Sequence, residues 1–229
     1  MRSWITYVTV ATVLLGTPVA SHAFDDRHKG FVLGFGVGPG LTSFTQDMVS
    51  ELFEQRTSSR QTKMSIATDL KIGWGFNDQL IVYYTAKVTW FQHDDVFLYD
   101  DLLTDDKEFE WVIDGFDAQT KSVWIASGVA GLGVTYFLSP ESPFSITAGG
   151  GFATWTAPLE DDTWLSPFND HSQTWFGPGA FAGFGWEFWD HWIVEGTAMW
   201  TNPTETGDLS FEVNSNVVSF LLTLNGLLY

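Results

Sequence analysis

Five ionisable residues, Asp69, Lys71, Lys87, Glu187 and Glu195, sit inside stretches that alternate bulky apolar side chains with small or polar ones. All five fall on the small, polar parity. Charges gathered on one face can neutralise one another as a salt-bridged plug, or they can line a narrow polar conduit. A buried charge must be paired or wet, so the plug is the expected reading. A second candidate is the run from 92 to 121, with ten carboxylates between Asp94 and Asp117 against Lys107 and Lys121. Clustered carboxylates suit Ca²⁺ or Mg²⁺. The run lacks the regular ligand order of a calcium loop, so it reads as a solvated acidic face and no metal ligand is assigned. A third is His171-Ser172-Gln173. A nucleophile needs its base within reach, and neighbouring strand residues point to opposite faces. His93-Asp94-Asp95 matches a hydrolytic site only in residue type. No catalytic residue and no cofactor is expected.

The segments that carry these residues read as strands, because their apolar positions recur every second residue. Phe31, Leu33, Phe35 and Val37 alternate with glycines and Val32. Ile66 to Phe76 and Leu80 to Trp90 alternate around Asp69, Lys71 and Lys87. Further segments run from Phe144 to Phe152, Phe176 to Phe188, Trp192 to Trp200 and Val218 to Leu228. An eighth, Val123 to Leu138, is less regular: Trp124, Leu132, Val134 and Tyr136 are placed outward, while Val123, Ile125 and Val129 blur the pattern. Greasy residues face one way and small polar ones the other. That is the reverse of a soluble barrel, and it suits a strand with lipid outside and a closed polar lumen inside. The expected fold is all-β, a single eight-stranded antiparallel up-and-down transmembrane barrel.

The connections alternate in length. Short ones centre on Asn77-Asp78, Ser139 to Pro143 and Trp189 to His191. Long ones span 45–62, 92–121, 156–174 and 201–216. Asp114-Gly115 within the second suggests a local hairpin. The hairpin Gly73-Trp-Gly-Phe-Asn-Asp recurs as Gly185-Trp-Glu-Phe-Trp-Asp. Aromatic residues beside the short turns, Trp74, Phe76, Tyr136, Trp186, Phe188 and Trp192, suit an interfacial belt. Trp90, Trp124, Trp155, Trp175 and Trp200 fall near the opposite strand ends and would form a second belt. Tyr83, Trp155, Trp175 and Phe181 are also candidates to refill the space left by inner glycines such as Gly34, Gly36, Gly73 and Gly183. His28 and His191 read as turn or interface residues.

The chain has 229 residues, no cysteine, 12 Trp, 20 Phe and a formal net charge of -18. Arg2, the apolar run Trp4 to Leu15 and Ser21-His22-Ala23 have the order of a secretory signal. Residues 1–23 are therefore expected to be removed and 24–229 to form the one domain. No later stretch reaches the ~18 apolar residues of a membrane helix. The acidic balance excludes nucleic acid as a partner, because nothing would neutralise phosphate.

With the signal segment, the Gly-alternating first strand from Gly30 to Gly40, the Gly-Leu-Gly-Val-Thr-Tyr-Phe run at 131–137, the turn at 185–188 and the terminal Tyr229, the sequence resembles the small bacterial outer-membrane β-barrel proteins, the group of OmpA-, OmpX- and OmpW-like barrels. The resemblance implies an outer-membrane location with both termini periplasmic. Its implied partners are outer-membrane lipid and lipopolysaccharide and the barrel-assembly machinery; the clustered carboxylates of the acidic loops add divalent cations as a secondary expectation. Tyr229 and Leu227 fit the terminal assembly signal of such barrels, while Asn225 and Thr223 depart from it. The expected role is non-enzymatic, structural or surface-interacting. A narrow channel for small solutes or hydrophobic compounds and a lipid-modifying enzyme are the alternatives. Outer-membrane lipid A deacylases carry a His, a spacer and Ser-Asn, and residues 171–173 lack that spacing.

Overall fold

In the computed structural model, residues 28–50, 55–93, 123–158, 172–206 and 211–228 are described. Nine strands follow one another: β1 (Gly30–Ser50), β2 (Gln55–Gly75), β3 (Leu80–His93), β4 (Val123–Phe137), β5 (Phe144–Pro158), β6 (Ser172–Trp189), β7 (Trp192–Thr201), β8 (Thr204–Thr206) and β9 (Phe211–Leu228). From β1 to β7 each pairs antiparallel with the next, β7 and β8 both pair with β9, and β9 pairs back onto β1. The sheet therefore closes and has no free edge, which is how a sheet satisfies all its backbone groups without water.

The short β8 continues the line of β7, pairing with β6 and β9 as β7 does. Nine segments thus make eight staves. The break between them falls at Asn202-Pro203. Proline has no N–H to give to a ladder and a fixed φ, so the chain steps aside there. Asn202 N–H reaches the Pro178 carbonyl at 3.0 Å, and Ser215 N–H reaches the Pro203 carbonyl at 3.0 Å.

The stagger of the barrel can be counted from its register. Directly paired residues lead from Phe44 through Val217, Thr201, Gly179, Gly151, Gly131, Thr85 and Lys71 back to β1 at Gly34, ten residues from the start. Such a shear tilts the strands strongly and leaves an interior that side chains can fill.

The strands run further than their apolar alternation does. Much of the expected connection 45–62 is strand, since β1 extends to Ser50 and β2 starts at Gln55. The same holds at the ends of 156–174 and 201–216. These segments are rich in Ser, Thr and Gln, so they show no greasy face. Ladder hydrogen bonds continue regardless of side chain. The short turns lie at 76–79, 138–143 and 190–191. Expectations that fall on the signal segment, the acidic run from 94 to 122 with its Asp114-Gly115 hairpin, His171 and Tyr229 lie outside the described residues.

Outside the barrel, Phe35, Ile72, Leu132, Phe152, Phe176, Phe184, Phe220 and Leu222 are all exposed. Inside, three apolar layers stack along the axis. Val32, Ile81, Tyr83, Phe137, Ile193 and Leu227 pack at the short-turn end. Ala67, Val129, Phe181, Met199 and Leu221 lie in the middle. Phe44, Phe91, Ile125, Trp155 and Val217 occupy the end of the long connections, with Trp175 against them. Ile125 and Val129 blurred the alternation of β4 because they point into this filled interior.

The inner glycines do not leave an open lumen. A methyl group on Gly133 would lie 2.5 Å from the Tyr83 ring and 3.0 Å from the Phe181 ring, so the glycine makes room for those two aromatics. Trp155 is also an interior residue, 1 % exposed, and it stacks on Trp175 with ring centroids 6.3 Å apart. This corrects their placement in the outer belt. Phe152 and Phe176 face outward, so the odd-numbered tryptophans beside them turn in.

Candidate functional site

The polar centre of the lumen is built by β2, β3 and β7. Asp69 and Lys71 share the inner face of β2, two residues apart. Lys87 of β3 is the direct cross-strand partner of Asp69. Glu195 comes from β7, on the opposite wall. Lys87 Nζ lies 2.5 Å from Asp69 Oδ2 and 2.7 Å from Glu195 Oε1. Lys71 Nζ lies 2.6 Å from Glu195 Oε2 and 3.2 Å from Asp69 Oδ2. The four groups thus form a closed alternating ring of zero net charge that spans the barrel.

Hydroxyls complete the ring. Thr85 Oγ1 donates to Asp69 Oδ1 at 3.0 Å, and Thr197 Oγ1 donates to Glu195 Oε1 at 2.9 Å. Lys71 Nζ sits 5.5 Å from the Tyr83 ring centroid and Lys87 Nζ 5.1 Å from that of Phe181. Aromatic faces attract such cations. All four charged side chains are 3 % exposed or less. Each carboxylate faces two ammonium groups and a hydroxyl. Neither is poised as a base or nucleophile, because its lone pairs are already engaged. The arrangement can hold strands together and exclude water; it resembles no acid–base pair.

Glu187 shares the inward parity but stands apart. It is half-buried near the end of β6, and its Oε2 accepts from His28 Nε2 at 3.0 Å. The reason is height: Glu187 lies two residues from the end of its strand, whereas Glu195 lies three residues into β7 from the same turn, on the opposite side of the hairpin.

Sequence reasoning missed several members. Thr197 could have been found, since it lies two residues from Glu195 on the same face. Thr85 relates to Lys87 in the same way. Tyr83, Thr135 and Thr147 form a hydroxyl trio between the ring and the short turns, with Tyr83 Oη 2.6 Å from Thr147 Oγ1 and 3.2 Å from Thr135 Oγ1. No local pattern announces that trio, because its members come from three strands. His28 reads as a turn or interface residue from the sequence, and it does meet the Asp78 carbonyl of a turn, but its pairing with Glu187 has no local signal.

Trp74, Phe76, Tyr136, Trp186, Phe188 and Trp192 are exposed beside the short turns. Trp200 is exposed towards the other end, and its Nε1 donates to Asn216 Oδ1 at 3.0 Å. Trp90 and Trp124 are half-buried, and Trp90 Nε1 donates to Thr68 Oγ1 at 3.0 Å. Among the described residues no group of three or more His, Asp or Glu side chains could hold a metal ion.

No family model matches the sequence, and no curated protein matches it. Solved structures do. The outer membrane protein OprG of Pseudomonas aeruginosa superposes with a TM-score of 0.50 at 13 % identity, over 89 % of this chain and 98 % of that one. This chain has the fold of the small outer-membrane β-barrels. Two further barrels match less tightly. Outer membrane protein AlkL, solved in lipid bilayers, has a TM-score of 0.42 at 10 % identity, over 92 % of this chain and 94 % of its own. Neisserial surface protein A has a TM-score of 0.42 at 12 % identity, over 85 % and 96 %.

Proposed function

We propose that this small barrel is a bacterial outer-membrane protein whose lumen is a solid plug, so that it works as a membrane anchor for its long connections rather than as a conduit or an enzyme. The filled, charge-neutral interior carries this reading. Asp69, Lys87, Thr85 and Thr89 at the centre have 0–1 % exposure, so these side chains are closed off from solvent within the described barrel. Function then falls to the outer wall and to the connections at the far end. In this orientation the short turns and both termini face the periplasm, as in barrels with short periplasmic turns and longer outer loops. The acidic run from 92 to 121 would be displayed outward, where divalent cations can bridge carboxylates to lipopolysaccharide phosphates.

Two measurements test the proposal. Purified protein added to planar bilayers should give no discrete conductance steps; a stable unitary step would replace the anchor with a channel. Leu132, exposed on the outer wall, tests the environment. Leu132→Arg should destabilise the folded barrel in lipid by about 2–4 kcal/mol if it faces mid-bilayer. On a water-facing surface the same change would stay within about 0.5 kcal/mol. Denaturant titration in vesicles separates the two.

A further inference from the structure

The short-turn end of the lumen exposes a difficulty that the chain solves with a residue outside every strand. Val32, Ile81, Tyr83, Phe137, Ile193 and Leu227 form an apolar layer at that mouth. All are buried, although the barrel wall ends beside them. Against one member of the layer, Phe137, lies His28, two residues before β1 and itself 1 % exposed.

The backbone is bent to put it there. His28 has φ 58° and Gly30 has φ 98°. Gly30 adopts that conformation freely, but a histidine is found there less readily. Such a conformation persists when its surroundings hold it. The contacts that hold it come from around the rim. The imidazole stacks on Phe137 at the end of β4, with centroids 3.7 Å apart and planes 12° from parallel. Its Nδ1 lies 2.8 Å from the Asp78 carbonyl oxygen in the β2–β3 turn. Its Nε2 pairs with Glu187 of β6 at 3.0 Å. Next to it, Lys29 Nζ lies 3.2 Å from Asp78 Oδ1. Gly75, the last residue of β2, has no side chain, and a methyl group there would strike the His28 carbonyl.

β2 and β6 are four staves apart in a ring of eight. One imidazole therefore bridges opposite sides of the mouth. We propose that His28 and Lys29 form a strap latched across the short-turn end of the barrel, and that the His28–Glu187 contact is its catch. With the strap in place the apolar layer and the Tyr83 hydroxyl trio are sealed. With it released, they open to the solvent on that side, while the charge ring above stays closed. The barrel thus has two independent seals, one of which can move without unfolding a strand. This goes beyond the anchor proposal and does not depend on which compartment the end faces.

The chain has no cysteine, so single thiols can report on the seal. Ser145 is buried and is the direct cross-strand partner of Phe137. Ser127 is buried in the other half of the lumen, and its hydroxyl has no partner to lose. Ser145→Cys in otherwise unaltered, folded barrel should react slowly with a small hydrophilic maleimide. Adding His28→Ala or Glu187→Ala should raise the rate roughly tenfold or more, because a sealed thiol labels only through local opening. The double change should add little to either single one, as expected for two halves of one contact. Glu187→Gln keeps an acceptor oxygen and should keep most of the protection. Ser127→Cys should stay slow throughout. Heat-dependent gel migration checks that each variant is a folded barrel. Fast labelling of Ser145→Cys in the parent, an unchanged rate after His28→Ala, or parallel acceleration at Ser127→Cys would each overturn the strap.

Discussion

Between the short turns and the charge ring, buried polar side chains are knitted together. Asp69, Glu195, both lysines, Thr85, Thr197, Tyr83, Thr135 and Thr147 all have partners. Asn225 Oδ1 is an exception there. Between the ring and the long connections the picture changes. Thr42 still bonds Ser65 and Ser219, but Ser127 Oγ, Trp175 Nε1, Thr201 Oγ1, Asn202 Oδ1 and Ser215 Oγ are buried without a protein partner. Four of these five gather on β6, β9 and the Asn202-Pro203 break that ends β7. An unpaired buried polar atom costs about 1–3 kcal/mol, so the two halves hold their shape by different means. Polar contacts fix the short-turn half. Aromatic contacts, chiefly Phe44, Phe91, Trp155 and Trp175, hold the other. The halves share strands and alternation, so continuity of a ladder does not imply uniform stability along it.

The sharpest way to break this contrast is Lys87→Met. It removes one of the two cations that touch both carboxylates and leaves Lys71 alone between Asp69 and Glu195. Breaking a buried ion pair from one side costs about 3–5 kcal/mol, so folding in vesicles should weaken by that order or fail. Adding Asp69→Leu removes the stranded partner and leaves the Lys71–Glu195 pair balanced. That double variant should recover most of the loss, since packed apolar residues replace buried ion pairs well. A loss under about 1 kcal/mol for Lys87→Met alone would show that the ring is ornamental and that the halves do not differ as argued.

What the sequence disclosed follows from the reach of each signal. Parity placed Asp69, Lys71, Lys87 and Glu195 on the inner face, because alternation is local. The tight Asn77-Asp78 turn fixes Asp69 opposite Lys87. The meeting of Lys87 with Glu195 across the barrel depends on a shear of ten residues, which no single strand carries. Glu187 had the right parity and the wrong height for the same reason. Trp155 and Trp175 were ambiguous because bulk near a strand end suits a belt and a filled lumen alike. Only their parity relative to Phe152 and Phe176 separates the two. The start of β2 at Gln55 was invisible, since polar residues on both faces give no periodic contrast. His28 was legible as a turn or interface residue, but its contacts lay beyond reach, because they come from three rim positions that meet only once the barrel closes.

A smaller expected loss refines the contrast at one hydroxyl. Thr85→Val deletes the donor to Asp69 Oδ1 with almost no change of shape. Hydrogen bonds to charged groups are worth about 1.5–3 kcal/mol, and Asp69 is fully buried. The urea midpoint in vesicles should fall accordingly, with an unchanged slope.

The smallest effect comes from the same substitution at the other end. Thr201 is fully buried and its hydroxyl has no partner, so Thr201→Val removes a polar group that was already unpaired. The wall loses no hydrogen bond and the methyl packs where the hydroxyl was. Stability should be unchanged or rise by up to about 1 kcal/mol. Opposite responses to one chemical change at Thr85 and Thr201, measured in the same vesicles, isolate hydrogen-bond pairing from burial, volume and β-propensity, which the two sites share. A loss at Thr201 as large as that at Thr85 would mean that an ordered water satisfies the outer half as fully as side chains satisfy the inner one. The difference between the halves would then lie in the identity of the partner and not in its presence.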